Sequence, residues 1–308
     1  MISRRTFLRS GAILGAGLAS GAASASLLSN DYTGPIVVER VVVEVNNLPP
    51  AFDGYRLGFL TDIHLGIWLP DDWLIQALDL LLQRSVDLLV LGGDYSFISE
   101  TEIWKALGVV RNRDFAELSP RRSLPLIYSK LTQILSRFSF PDGAIAVAGN
   151  HDHWNSTSQL LSCFAHLPNI DLLINRERVI ARGDQRLEIF GVDDFLTGIP
   201  SAPPSREQHA GRTARLIVSH NPDYISRLLE IQPEYPFDLA LCGHTHGGQI
   251  RVPGIGAVMS QIEDPRFVAG LANVNGKQVY TSRGLGVVGL PFRYDCPPEV
   301  TVFTLRRG

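Results

Sequence analysis

Leu239-Ala240-Leu241-Cys242-Gly243-His244-Thr245-His246-Gly247-Gly248-Gln249 runs small and aliphatic residues straight into a glycine turn carrying two histidines. An apolar run that short, without alternation, reads as a strand buried on both faces. The same arrangement recurs four times upstream. Leu57-Gly58-Phe59-Leu60-Thr61 precedes Asp62-Ile63-His64, and Leu88-Leu89-Val90-Leu91 precedes Gly92-Gly93-Asp94. Ala144-Ile145-Ala146-Val147 leads to Gly149-Asn150-His151-Asp152, and Leu216-Ile217-Val218 to Ser219-His220-Asn221. Polar groups at the carboxyl ends of buried strands are where α/β proteins place their sites. The donors combine carboxylate, amide and imidazole, a mixture that suits divalent transition ions better than one thiolate-rich structural zinc.

Between these strands lie helical patterns. Asp71-Asp72 can open a helix from Trp73 to Arg84, with Leu74, Leu78, Leu81 and Leu82 on one side. Ser129–Phe138, Ser156–Leu167 and a segment opened by Pro222-Asp223 and ending near Ile231 read similarly. Other strands follow one another without a helix, as from Val37–Val45 onward to Tyr55 and near the C-terminus. The mixture predicts an α/β protein with two packed sheets flanked by helices, a four-layer α-β-β-α sandwich in a single domain.

The order of these segments resembles the calcineurin-like metallophosphoesterases over roughly residues 55–305. Gly243–Gln249, Ser282-Arg283-Gly284 and Cys296-Pro297-Pro298-Glu299 resemble most the branch of exported bacterial phosphodiesterases. The resemblance implies the same layered architecture and two divalent metal ions; the ligand types suit manganese, iron and zinc alike, with manganese favoured as an ion loaded before export. It implies that Asp62, His64 and His246 hold one ion, that Asn150, His220 and His244 hold the other, and that Asp94 bridges them. A hydroxide shared by the ions would attack phosphorus in line, with His151 as the catalytic group assisting the leaving oxygen. In several such proteins an Asp three positions beyond the bridging Asp orients that histidine. Phe97 stands there in this chain, and Asp152 is the nearby alternative. The implied substrate is a phosphoester, most of all a diester. The alternatives are a pyrophosphatase acting on a nucleotide-linked envelope lipid of the UDP-diacylglucosamine type, for which Ile67-Trp68-Leu69 would supply an apolar rim, and a metal-bound scaffold without chemistry.

Ser3-Arg4-Arg5-Thr6-Phe7-Leu8-Arg9, the Gly/Ala-rich run Gly11–Ala25 and the closing Ala23-Ser24-Ala25 match a twin-arginine signal peptide over residues 1–25. The expectation is a chain handed to the twin-arginine translocase and released to the periplasm or cell envelope, with peripheral membrane association open, leaving residues 26–308 as the catalytic domain. That signal holds three of the 28 basic residues, so 28 − 3 = 25 remain against 31 acidic ones, a formal charge of −6. Such a balance argues against nonspecific nucleic-acid binding. Cys163, Cys242 and Cys296 are predicted to include neither an essential disulfide nor a metal ligand.

Residues 99–125, with Arg111, Arg113, Arg121 and Arg122, read as an insertion or lid. Gly284-Leu285-Gly286-Val287-Val288-Gly289 has the spacing of a dinucleotide fingerprint. No helix pattern follows it, so a loop passing close to the site is expected, with Arg283 a candidate phosphate contact. Asp193-Asp194 ends a further apolar run and is expected to support the site, while His153, His166 and His209 are expected to be ordinary structural histidines.

Overall fold

The computed structural model describes residues 34–98, 112–116, 118–203, 213–258 and 260–308. The proposed signal peptide, most of the proposed lid and His209 lie outside the described residues. In chain order the strands are β1 (Val37–Val45), β2 (Arg56–Leu60), β3 (Leu65–Gly66), β4 (Leu88–Leu91), β5 (Ser96–Phe97), β6 (Ala144–Ala146), β7 (Ile170–Leu172) and β8 (Arg176–Arg182). They continue as β9 (Gln185–Gly191), β10 (Thr213–Val218), β11 (Leu239–Cys242), β12 (Arg251–Val252), β13 (Gly256–Ala257), β14 (Gly270–Val274), β15 (Lys277–Thr281) and β16 (Glu299–Arg307). The longer helices are α1 (Asp71–Leu82), α2 (Pro120–Leu135), α3 (Asn150–Ala165) and α4 (Asp223–Ile231).

Two six-stranded sheets carry the fold, in the orders β1-β16-β2-β4-β6-β7 and β14-β15-β11-β10-β9-β8. Strands β2, β4, β6 and β7 run parallel in the first, and β9, β10, β11 and β15 in the second. The period of two in a strand explains why their apolar runs are unbroken. Leu57 and Phe59 of β2, Leu88 and Val90 of β4, Leu216 and Val218 of β10 and Leu239 and Leu241 of β11 meet in the core between the sheets. Leu60, Leu89 and Leu91 point the other way, onto α1, α2 and α3. Ile217, Ala240 and Cys242 pack likewise against Ile225, Leu228 and Leu229 of α4 on the far side of the second sheet. Helices, sheet, sheet and helix form the expected four layers.

Two helices differ from expectation. Helix α2 begins at Pro120, nine residues ahead of Ser129, so part of the proposed lid is helix. Pro120 takes the first helical position, where its fixed φ is already helical and its missing N–H costs nothing. Pro125 lies near enough to the start that the helix survives it. Helix α3 begins at Asn150, inside the Gly-Asn-His-Asp segment, and breaks at Ser156, whose backbone is extended (φ −177°, ψ 103°). The segment read as a helix from Ser156 is its second half.

Ile67, Trp68 and Leu69 are buried rather than forming an exposed rim. The short parallel pair β3–β5 folds this stretch inward, and Trp68 stacks on Phe97 with ring centroids 4.6 Å apart. Cys163, Cys242 and Cys296 are free and buried. Among the described residues no helix is long and apolar enough to cross a membrane.

Candidate metal centre

The turns after β2, β4 and β6 bring Asp62, His64, Asp94, Asn150 and His151 to one edge of the first sheet. Those after β10 and β11 bring His220, His244 and His246 to the matching edge of the second. Reaching this geometry requires unusual backbone. Asp62, His64, Asp94, His244 and His246 all have positive φ, between 48° and 70°. That region is disfavoured for residues with a Cβ and costs of order 1–3 kcal/mol each, a cost typical of functional sites. Glycines make the room: a Cβ on Gly149 would sit 2.2 Å from Asp94 Oδ1, and one on Gly243 would sit 2.5 Å from Asp62 Oδ2.

The donors form overlapping sets. Asp62, His64 and His246 converge, as do Asp62, Asp94 and His220, and His64, Asp94 and His151, each within 4.8 Å. Asp94 Oδ2 lies 3.5 Å from His64 Nε2 and 3.3 Å from His220 Nε2, between an imidazole of each sheet. Its other oxygen accepts the backbone N–H of His151 at 2.8 Å. Asp62 Oδ1 is 3.4 Å from His246 Nε2, and the two Asp62 oxygens also accept the N–H of His244. His244 Nδ1 lies 2.8 Å from Asn150 Oδ1.

This donor set fits cations. His64 Nε2 and His246 Nε2 face each other at 3.1 Å, and among the described residues the buried His244 Nε2 has no hydrogen-bond partner. His220 turns Nδ1 to the carbonyl of Gly92 at 2.8 Å, which directs Nε2 at the two carboxylates. Burial would lower the His220 pKa, but Asp94 and Asp62 outweigh it and hold His220 well above the ordinary histidine value. Burial keeps His64 neutral, lowered to about 3 against the pull of Asp94, and His244 is lowered to about 3 by burial and by His220. Burial and the neighbouring Asp94 push Asp62 up to about 6, despite His220. Burial would raise Asp94 too, yet His220, His151 and His64 hold it well below the usual carboxylate range. His64 and His244 are in the neutral form that a divalent cation requires of its ligands, while the proton that Asp94 and Asp62 hold on His220 is one a bound cation would displace.

Asp152 does not orient His151. It is buried and accepts the backbone N–H groups of Asp94 (2.8 Å), Tyr95 (3.0 Å) and Gly149 (2.9 Å), tying the β4 turn to the start of α3. Asn155 adds bonds to Ser96, and His153 pairs with Asp193 at 2.8 Å. The ring of His151 is instead bounded by aromatics: His64 edge-on at 4.8 Å, Trp154 at 5.0 Å and Phe97 at 6.0 Å.

Arg283 pairs with Glu39 (2.7 Å) and Glu299 (2.8 Å), so its guanidinium serves carboxylates of β1 and β16 rather than a phosphate. The glycine loop after β15 passes against the site as expected. A Cβ on Gly284 would lie 2.6 Å from that of Asp62. Asp194 accepts from Leu196, Thr197 N and Thr197 Oγ1 and so shapes a turn beside the site.

A family model described as calcineurin-like phosphoesterase matches residues 55–248. The chain belongs to that family. This phosphoesterase is 31% identical over 312 residues to phosphodiesterase YaeI of Escherichia coli (strain K12), covering 99% of this chain and 100% of that protein. It is 25% identical over 310 residues to the metallophosphoesterase YkuE of Bacillus subtilis (strain 168), covering 99% and 98%. A solved dimetal phosphatase from Danio rerio aligns with a TM-score of 0.40 at 13% identity, over 75% of this chain and 88% of that one. The phosphoesterase is thus a hydrolase of its family with a candidate divalent-metal site where both sheets end.

Proposed function

We propose that this phosphoesterase hydrolyses phosphodiesters with two divalent cations, manganese by preference, after export through the twin-arginine pathway. The observation that carries the proposal is the placement of Asp94 Oδ2 between His64 and His220, 3.5 Å and 3.3 Å away. One carboxylate oxygen there can serve two ligand sets. Asp62, His64 and His246 would hold one ion, and Asn150, His220 and His244 the other. Bound there, the cations would lower the pKa of a shared water and neutralise charge on the phosphoryl oxygens. His151 would meet the leaving oxygen and give it a proton, its ring fixed by His64, Trp154 and Phe97 and its backbone by Asp94. The neutral amide of Asn150 ligates without adding a third negative charge to the site.

The diester preference is supported by the similarity to phosphodiesterase YaeI. Export is supported by the twin arginines at Arg4-Arg5 and the apolar run that follows. Manganese is favoured because a site closed in the cytoplasm escapes competition from copper and zinc, which outrank manganese in affinity. The test is turnover by residues 26–308 loaded with manganese, with bis-p-nitrophenyl phosphate beside p-nitrophenyl phosphate and His151→Ala as control. Faster cleavage of the diester, lost in the variant, is expected. Preference for the monoester would overturn the substrate class, and undiminished turnover in the variant would overturn the role of His151.

A further inference from the structure

Arg293 lies outside every motif, yet its guanidinium is buried behind His246. Its partners among the described residues are backbone carbonyls and one imidazole nitrogen. Nε donates to Gly286 O at 3.0 Å, and Nη2 donates to Gly286 O, to Arg283 O at 2.8 Å and to Gly284 O at 3.3 Å. Nη1 reaches Cys296 O at 3.3 Å and His246 O at 3.4 Å, while Nη2 stands 3.4 Å from His246 Nδ1. The loop so gripped grips the metal ligands in turn. Leu285 N donates to Thr61 O at 3.1 Å and Gly286 N to Asp62 O at 2.7 Å. The fit leaves no slack, since a Cβ on Gly286 would lie 2.3 Å from Ile63 O and 2.9 Å from the Cβ of His64.

From this chain of contacts we infer that Arg293 is a positioning residue of the metal centre, holding the Arg283–Gly286 loop as a backing against which Asp62 and His64 are set while it braces His246. Arginine suits the task because five donors in a rigid fork can satisfy several carbonyls at once, which the single ammonium of lysine cannot. A buried cation beside a cation site is electrostatically adverse, so the geometry of the fork outweighs its charge. The inference rests on the proposal that Asp62, His64 and His246 hold a metal ion. It also gives a role to the Ser282-Arg283-Gly284 and Cys296-Pro297-Pro298-Glu299 segments, which the chemistry itself does not use.

Arg293→Lys keeps the charge and removes the fork. Manganese affinity would be titrated calorimetrically on the parent and this variant, with His64→Ala as the control that loses a ligand. Amide hydrogen exchange at Leu285 and Gly286 would be followed in the metal-free proteins. Weaker binding by 10–100-fold, the range for groups behind metal ligands, is expected together with faster exchange at both amides. Affinity within twofold of the parent and unchanged exchange would overturn the inference. Failure of the parent to bind manganese, or unchanged binding in His64→Ala, would count against the metal reading instead. Hydrogen exchange would still decide whether Arg293 holds the loop. Should Arg293→Lys not fold, Gly286→Ala displaces the same loop with Arg293 intact, and parent-like manganese affinity in that variant would overturn the inference as well.

Discussion

The two sheets bring unlike halves to the site. Turns of the first supply the oxygens, from Asp62, Asp94 and Asn150, together with His64 and His151. Turns of the second supply imidazoles alone, from His220, His244 and His246. The first half by itself would bury two carboxylates close together, and the second would bury three imidazoles with little to receive their nitrogens. Each is costly, because buried polar groups without partners lose several kcal/mol of solvation. Set face to face they relieve each other, as the contacts of Asp94 with His220 and of Asp62 with His246 record. The lesson is that the site is a property of the seam between the sheets, with neither sheet holding it alone.

Breaking the seam should have the largest effect. Asp94→Ala removes the group that faces both halves, so turnover should fall well beyond the roughly 100-fold typical of groups behind metal ligands. Metal content by elemental analysis should drop to one ion or fewer. Two ions retained would show that the halves bind independently and would break the comparison.

His151→Ala tests a group that belongs to the first half but to neither ligand set. Turnover should fall by about 10²–10⁴-fold, as for a lost general acid, with metal content unchanged.

Asp152→Asn sharpens the contrast by loosening only the first half. The amide can place one oxygen where the carboxylate used two, leaving at least one of the three N–H groups without its acceptor. A stability loss of about 2 kcal/mol is expected, read as a fall in Tm of roughly 5 °C.

The smallest effect concerns a link across the halves, from His153 on α3 to Asp193 after β9. The hydrogen bond to Asp193 raises the His153 pKa against the effect of burial. Burial would raise Asp193, but His153 and the N–H of Ile199 hold it below the ordinary value. The histidine's contribution is therefore complete below its unfolded pKa of ~6.5 and is lost as pH rises through the raised folded value. The aspartate's is present above ~3.9 and is lost as pH falls through the depressed folded value. In Asp193→Asn, NMR titration should show the His153 pKa moving down, and the mildly acid stability gain should vanish. An unmoved titration would sever this link.

Much of this was legible in the sequence because buried parallel strands announce themselves as short apolar runs, and their ends mark where side chains can converge. The five runs before Asp62, Asp94, Asn150, His220 and His244 are all strands, and the layers follow from their two-sided burial. What stayed hidden depends on contacts between distant parts of the chain. Nothing near Arg283 announces Glu39, and nothing near Arg293 announces the carbonyls of His246 and Gly286. The burial of Trp68 needs Phe97 from β5 beneath it. The left-handed backbone at Asp62, His64, Asp94, His244 and His246 is nearly as silent, since Asp and His are enriched at positive φ yet mostly lie elsewhere. Helix α2 begins nine residues before the pattern at Ser129, inside the stretch read as a lid, because Pro125 sits near enough to the helix start to be tolerated.

Strand β16, the last in the sequence, does not add to an edge. It lies between β1 and β2, parallel to the first over nine paired residues and antiparallel to the second. Until that strand is in place, the first sheet is split between its earliest-made members, and the inter-sheet core lacks Phe303 and Leu305. Pairing between segments so far apart in sequence is slow to form and offers little to a growing chain. The first sheet therefore closes around a strand made after all its other strands, and β1 stays apart from β2 until the two are joined through it.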